Sequence, residues 1–175
     1  TTISSLLYQL FKGLGYPCGL ISTVKIQYQN KKLKNTHTTP DALTLNYHLS
    51  KMVEAGISHC FMEVSSHGIA QKRILGLTFS GAIFSNLSHD HLDYHGDFKT
   101  YRDTKKLFFD FLPKSAFALT NIDDKNGAFM LQNTKAKKVS YAVKQYADYK
   151  AQILECQFSG MLLKIQDQEV WTSLV

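Results

Sequence analysis

What most narrows the fold of this chain is an alternation of short apolar runs with helix-spaced ones. Cys18 to Val24 reads as a buried strand, and Ser58 to Val64, Phe79 to Leu87, Ala116 to Ile122 and Lys138 to Val143 read as further strands. Helical patterns run over Thr1 to Leu14, Leu43 to Gly56, Phe98 to Leu112 and Asp124 to Gln132. In the first, Ile3, Leu6, Leu7, Leu10, Phe11 and Leu14 recur at three and four, and Gly13 with Gly15 marks the stop. In the second, Leu43, Leu45, Tyr47, Leu49, Met52 and Val53 are expected to carry a largely buried helix, with Thr39 as N-cap, Pro40 in the first turn and Asp41 complementing the positive helix end. Alternation at this spacing predicts parallel βαβ units with right-handed crossovers. The expected fold is α/β, a mostly parallel sheet flanked by helices. Lys25 to Lys34 is turn-like and a candidate hairpin. After Tyr146 the pattern changes: Lys150 to Phe158, Met161 to Gln166 and Glu169 to Leu174 predict a small antiparallel β extension near the C-terminus.

The length of 175 residues suits one domain, 1–175. Hydrophobic residues at 44% and charged ones at 19% fit a soluble globular protein, and no apolar run approaches the length of a membrane span. Thr1-Thr2-Ile3 is neither an initiator Met nor a secretory leader, so the start reads as a cut inside a longer protein. The net charge of +6 would attract phosphate. Its lysines, at 31, 32, 34 and at 135, 137, 138, read as solvated turns without an RNA-binding signature, so neither a nucleic-acid nor a membrane partner is expected. Cys18, Cys60 and Cys156 are few and far apart, which implies reduced, mostly buried thiols in a cytoplasmic protein.

Chemistry concentrates at two predicted strand ends, where ligands collect in open α/β sheets. The first is H-D-H-L-D-Y-H, residues 89–95. It approaches the H-x-H-x-D-H pattern of di-metal hydrolases through His89, His91 and Asp93, but Tyr94 stands where the last His belongs and His95 comes one residue late. The plainer reading has His89 and His95 satisfying local backbone groups. The second is M-E-V-S-S-H-G, residues 62–68. Glu63 sits inside an apolar run, where an unpaired carboxylate is costly and calls for a cation or hydrogen-bond donors. Ser65, Ser66 and His67 lack the G-x-S-x-G elbow that serine hydrolysis would need.

Taken together, Thr1-Thr2 opening a helix, T-T-P-D at 38–41, M-E-V-S-S-H-G at 62–68, N-L-S-H-D-H-L-D-Y-H-G at 86–96, Tyr101 followed by Lys105, and T-N-I-D-D at 120–124 resemble the central domain of the Mur ligases, and among them the members that add the third residue of the peptidoglycan stem peptide. The resemblance covers nearly the whole chain and implies a P-loop NTPase-like central domain. It further implies an enzyme that uses ATP and Mg²⁺ to join a diamino acid, meso-diaminopimelate or L-lysine, to UDP-MurNAc-L-Ala-D-Glu through an acyl phosphate. A non-catalytic nucleotide-binding domain is the alternative from another class, beside the di-metal hydrolase.

The resemblance also implies roles for individual residues. Thr1 would be the hydroxyl ligand of the nucleotide Mg²⁺, with Thr2 near the phosphates and Asn121 near the adenine. Glu63 would bridge toward two Mg²⁺ ions, and His91 would bind the second. Lys105 would be carbamylated and so become carboxylate-like; its neighbour Lys106 is expected to be solvated. Thr38, Thr39, Ser65, Gln71 and Arg73 would contact the nucleotide-sugar peptide, Arg73 by pairing with the D-glutamyl carboxylate. In the family the phosphate loop reads G-T-N-G-K-T-T, and this chain opens at its last two residues. The segment on its own is therefore expected to bind ATP poorly and to need flanking N- and C-terminal domains for turnover. Two departures stand out: His37 replaces the usual Asn before T-T-P, and His89 stands where Arg is common before D-H.

Overall fold

A computed structural model describes residues 1–173. The chain divides into two compact units, Thr1–Leu77 and Thr78–Val175. Unit 1 runs α1 (Thr2–Gly13), β1 (Cys18–Ile21), β2 (Lys25–Tyr28), β3 (Lys31–Lys34), α2 (Ala42–Glu54), β4 (His59–Met62) and α3 (Ser66–Ala70). Its sheet has the order β3-β2-β1-β4; β1 and β4 are parallel, and β2-β3 is the antiparallel hairpin the turn-like segment predicted. Every residue of β1 is buried. Because successive strand side chains point to opposite faces, Cys18 and Leu20 pack with Tyr8 of α1, while Ile21 packs with Leu45 and Met52 of α2. Both faces of this sheet are thus covered by a helix.

Unit 2 runs β5 (Gly81–Phe84), α4 (Leu92–His95), α5 (Phe98–Asp110), β6 (Phe117–Asn121), α6 (Gly127–Met130), β7 (Lys137–Ala142), β8 (Tyr149–Gln157), β9 (Gly160–Ile165) and β10 (Gln168–Thr172). The sheet order is β10-β9-β8-β7-β6-β5. Strands β5 to β8 are parallel and β8 to β10 antiparallel, which is the α/β architecture with the predicted β extension. Of the expected last strand, Leu174 lies outside the described residues. Ala82, Phe84, Leu87, Tyr101, Phe109, Ala118 and Met130 form one buried core that fastens α5 and α6 to the sheet. Among the described residues no helix is long and apolar enough to cross a membrane.

Several local expectations are corrected. The N-cap of α2 is Asp41, whose carboxylate accepts from the Leu43 and Thr44 amides; Thr39 is wholly buried two residues earlier. Helix α2 buries only Leu45, His48 and Met52, leaving Leu43 at 85% and Val53 at 75% exposure, since one stripe of a 3.6-residue period can face the sheet. The helix expected over 124–132 shrinks to Gly127–Met130, because Asp124 turns its side chain to backbone amides instead of entering the helix. Lys106 is not solvated: it is 5% exposed, and its ammonium bonds both Asp110 oxygens at 2.6 and 2.8 Å. Of the cysteines, Cys18 is buried, but Cys60 and Cys156 are exposed.

Candidate functional site

In unit 1, Glu63 follows directly on β4, and its carboxylate collects donors from two segments, at Thr1 and at Thr23. Its Oε1 accepts from the Thr23 amide at 2.9 Å. Its Oε2 accepts from the Thr1 hydroxyl at 3.2 Å and the Thr23 hydroxyl at 3.1 Å. Burial pushes this carboxyl up, while the Thr23 amide and hydroxyl pull it down by favouring the ionised form. The Thr23 amide and the Thr1 and Thr23 hydroxyls thus surround Glu63 with donors that favour its carboxylate form. Thr1 is the N-cap of α1, yet its side chain makes no capping bond, being turned to Glu63. The opening amides of α1 have no side-chain cap, which favours an anion at that end. Thr2 is the first residue of the helix and is exposed.

The expected substrate residues form a second layer around the same strand end. Thr38 reaches the Thr23 hydroxyl at 3.1 Å. The Thr39 hydroxyl donates to the Glu63 carbonyl and accepts from the Ser65 amide, both at 2.9 Å. Ser65 caps α3 by accepting from the Gly68 amide. Arg73 donates through Nε and Nη2 to Gln71 Oε1 at 2.9 and 2.6 Å, and through Nη1 to the Thr39 carbonyl at 2.6 Å. Three of the five guanidinium N–H groups thus orient it, leaving it half-buried with its plane fixed. Thr23 is a site residue that sequence reading missed. Its only signal was position, two residues past the buried run of β1.

In unit 2 the H-D-H-L-D-Y-H side chains diverge. His89 stacks on Phe98 at 4.5 Å between ring centroids, and the buried His95 packs on Tyr94 and Tyr101. Among the described residues no group of three or more His, Cys, Asp or Glu gathers closely enough to hold a metal by itself. That takes away the ligand set a di-metal hydrolase would need. His91 instead occupies a left-handed backbone position, φ 55° and ψ 27°, at the N-cap of α4, a conformation uncommon outside glycine and concentrated at functional sites. Its ring meets the edge of Tyr101 at 5.9 Å, and its amide bonds Asp90 Oδ1 at 2.8 Å.

Lys105 approaches the same Tyr101 ring, its ammonium 5.4 Å from the centroid. Helix geometry explains this, since residues four apart share a face. Burial holds the Lys105 amine below the ordinary lysine range, against an opposing pull from Asp90. Tyr101 thus stands beside both His91 and Lys105. Asn121, at the end of β6, uses both ends of its amide: Nδ2 donates to the Ser85 carbonyl at 3.0 Å, and Oδ1 accepts from the Asp123 amide at 3.0 Å.

With this geometry in view, the family model for the Mur ligase middle domain matches residues 1–173. The chain belongs to this family. A UDP-N-acetylmuramoyl-L-alanyl-D-glutamate--2,6-diaminopimelate ligase from Phocaeicola vulgatus is 54% identical over 170 residues, 97% of this chain and 35% of that protein. The protein of that name from Cytophaga hutchinsonii is 50% identical over 175 residues, all of this chain and 36% of the relative. This Mur ligase domain therefore spans about a third of the length of these curated relatives. A solved structure of a UDP-N-acetylmuramoyl-L-alanyl-D-glutamate--2,6-diaminopimelate ligase superposes with a TM-score of 0.87 at 30% identity, over 98% of this chain and 36% of that one. A folylpolyglutamate synthetase from Lactobacillus casei shares the fold alone, with a TM-score of 0.55 at 10% identity over 95% of this chain and 47% of the other.

Proposed function

We propose that this Mur ligase domain is the ATP-binding central domain, 1–175, of a longer cytoplasmic ligase that adds 2,6-diaminopimelate to UDP-MurNAc-L-Ala-D-Glu. The observation that carries the reading is Glu63, a half-buried carboxylate at a strand end that accepts from the Thr23 amide and touches the hydroxyl of Thr1, where α1 starts. The names of the relatives support the substrate pair.

In this reading ATP phosphorylates the D-glutamyl carboxylate, and the amine of the diamino acid attacks the acyl phosphate and expels phosphate. The uncapped start of α1, with Thr1 and Thr2, faces the nucleotide phosphates. Thr1 and Glu63 supply hard oxygen ligands of the kind Mg²⁺ takes; His91 and Lys105, the latter as a carbamate, would hold a second ion. Mg²⁺ bound there would screen the charge of phosphate and carboxylate groups that must approach one another. Burial favours the neutral amine of Lys105, the form whose nitrogen adds to carbon dioxide, giving a carbamate and releasing one proton. Arg73, its plane set by Gln71 and Thr39, takes the free carboxylate of the acceptor, while Thr38 and Ser65 line its approach. Asn121, held to the Ser85 carbonyl after β5, would lie near the adenine. The flanking domains of the same polypeptide would bind the uridine and select the diamino acid.

The test is amide formation by the full-length protein that contains this chain, with UDP-MurNAc-dipeptide, ATP and Mg²⁺, offered 2,6-diaminopimelate or L-lysine. Dipeptide-dependent phosphate release with the first amine is expected. In Lys105→Ala that release should vanish and return on adding a short carboxylic acid. Full activity in Lys105→Ala removes the carbamate; no dipeptide-dependent release in the wild type removes the function.

A further inference from the structure

The T-N-I-D-D segment contains a carboxylate that the proposed chemistry does not use. Asp124 Oδ2 accepts from the Leu87 amide at 2.9 Å, while Oδ1 accepts from the Asn126 amide at 2.8 Å and the Asn126 side chain at 3.1 Å. Two further bonds meet the same stretch of chain: Asn121 Nδ2 holds the Ser85 carbonyl at 3.0 Å, and the Tyr141 hydroxyl donates to the Phe84 carbonyl at 3.4 Å. The exit of β5 is therefore tied down at residues 84, 85 and 87. Asp124 makes the tie nearest the H-D-H loop, and Leu87 itself is 7% exposed. Four residues further on is His91 in its left-handed conformation. The far side of the loop is held by His95, packed against Tyr101.

Released at its root, a four-residue span could extend by about 13–14 Å, whereas a metal–nitrogen bond tolerates a misplacement of about 0.2 Å. The bond to Leu87 therefore bears directly on where the His91 imidazole sits. We infer that Asp124 is a positioning residue for His91, acting through the Leu87 amide to hold the loop in its metal-competent place. This rests on the proposed metal role of His91. The competing possibility is that Asp124 only builds the local turn with Asn126. Asp123 supplies the contrast: it binds the Val143, Lys144 and Gln145 amides, at the end of β7 and not of β5.

The experiment uses Mn²⁺ as a paramagnetic probe of the full-length protein, titrated by electron paramagnetic resonance, with thermal unfolding measured in parallel. The decisive variant is Asp124→Ser. A serine hydroxyl can still accept from the amide two residues on, preserving the turn to Asn126, but it is too short to reach Leu87 as well. Expected is a rise in the Mn²⁺ Kd of roughly 10–100-fold, the usual cost of removing a partner that orients a ligand, together with faster hydrogen exchange at the Leu87 amide in metal-free protein. Asp123→Ala should lower the melting temperature and leave the Mn²⁺ Kd at the wild-type value. A folded Asp124→Ser protein that binds Mn²⁺ like the wild type, while His91→Ala binds weakly, overturns the inference and leaves the metal site standing. Wild-type Mn²⁺ affinity in His91→Ala removes the metal role itself, and the inference with it.

Discussion

The hydroxyl of Thr39 offers a sharp test of how the strand end after β4 is held. It is 0% exposed, donates to the Glu63 carbonyl and accepts from the Ser65 amide, both at 2.9 Å. Replacing Thr39 by Val keeps the shape and removes both bonds, leaving a carbonyl and an amide facing a methyl group where water has no access. Each orphaned buried group costs about 1–3 kcal/mol. The two share one site and can relax together, so an intermediate total of about 2–4 kcal/mol is expected. Thr39→Ser keeps the hydroxyl and loses one buried methyl, which costs about 1 kcal/mol.

Thr39→Val against the wild type isolates the hydroxyl, at about 2–4 kcal/mol, and Thr39→Ser is the control for the lost methyl. Urea unfolding followed by far-ultraviolet circular dichroism reads it. Amide exchange over residues 1–77 supplies a local check, because the only tryptophan, Trp171, lies in the other unit. The Ser65 amide should exchange faster in Thr39→Val and at the native rate in Thr39→Ser. If the Val protein is as stable as the wild type, the hydroxyl is not holding the Glu63–Ser65 backbone, and the account of how Glu63 is aimed fails with it.

Three further outcomes are expected. Asp110→Ala should destabilise unit 2 by about 3–5 kcal/mol, because it strands the Lys106 ammonium, 5% exposed, without its carboxylate; the double change Lys106→Met with Asp110→Leu should recover most of that loss in chemical denaturation. His48 is buried on α2 against Tyr28 and Tyr47, and burial holds its imidazole below the ordinary value of 6.5. Its stability contribution is then complete above pH 6.5 and is lost as pH falls from there toward the folded-state value. His48→Phe should flatten the acid limb of stability against pH, and an unchanged acid limb would exclude His48 as its source. Gly127→Ala should destabilise α6 and loosen the Asn121–Asp124 segment, since a Cβ at 127 would collide with the Asn121 carbonyl; a native melting temperature in that variant would contradict the close approach.

The parts of the fold that were legible in the sequence are those fixed by periodicity, and the parts that were not depend on a partner far along the chain. The five apolar runs marked β1, β4, β5, β6 and β7, although only β1 is buried throughout, because a short apolar run between helix-spaced segments reads as a parallel strand. Thr39 and Asp41 are both good N-caps. Asp41 takes the helix because Thr39 is needed by Glu63 and Ser65, 24 and 26 residues away. Lys105 and Lys106 are likewise neighbours of one type, separated by the 100° step of a helix. That step puts Lys105 on the face of Tyr101 and Lys106 beside Asp110 and Phe129. The four-residue spacing to Asp110 was a readable signal for the second lysine. For Thr23 there was no signal beyond its position after β1, and for Asp124 none, because each acts on a carboxylate or an amide that only the folded chain brings near. The burial that distinguishes Lys105 belongs to the same class. It requires the side chain to lie down on Tyr101, so Tyr101→Ala should raise the Lys105 amine toward the ordinary lysine range, and a reaction of that amine with a small acylating reagent should then slow at neutral pH.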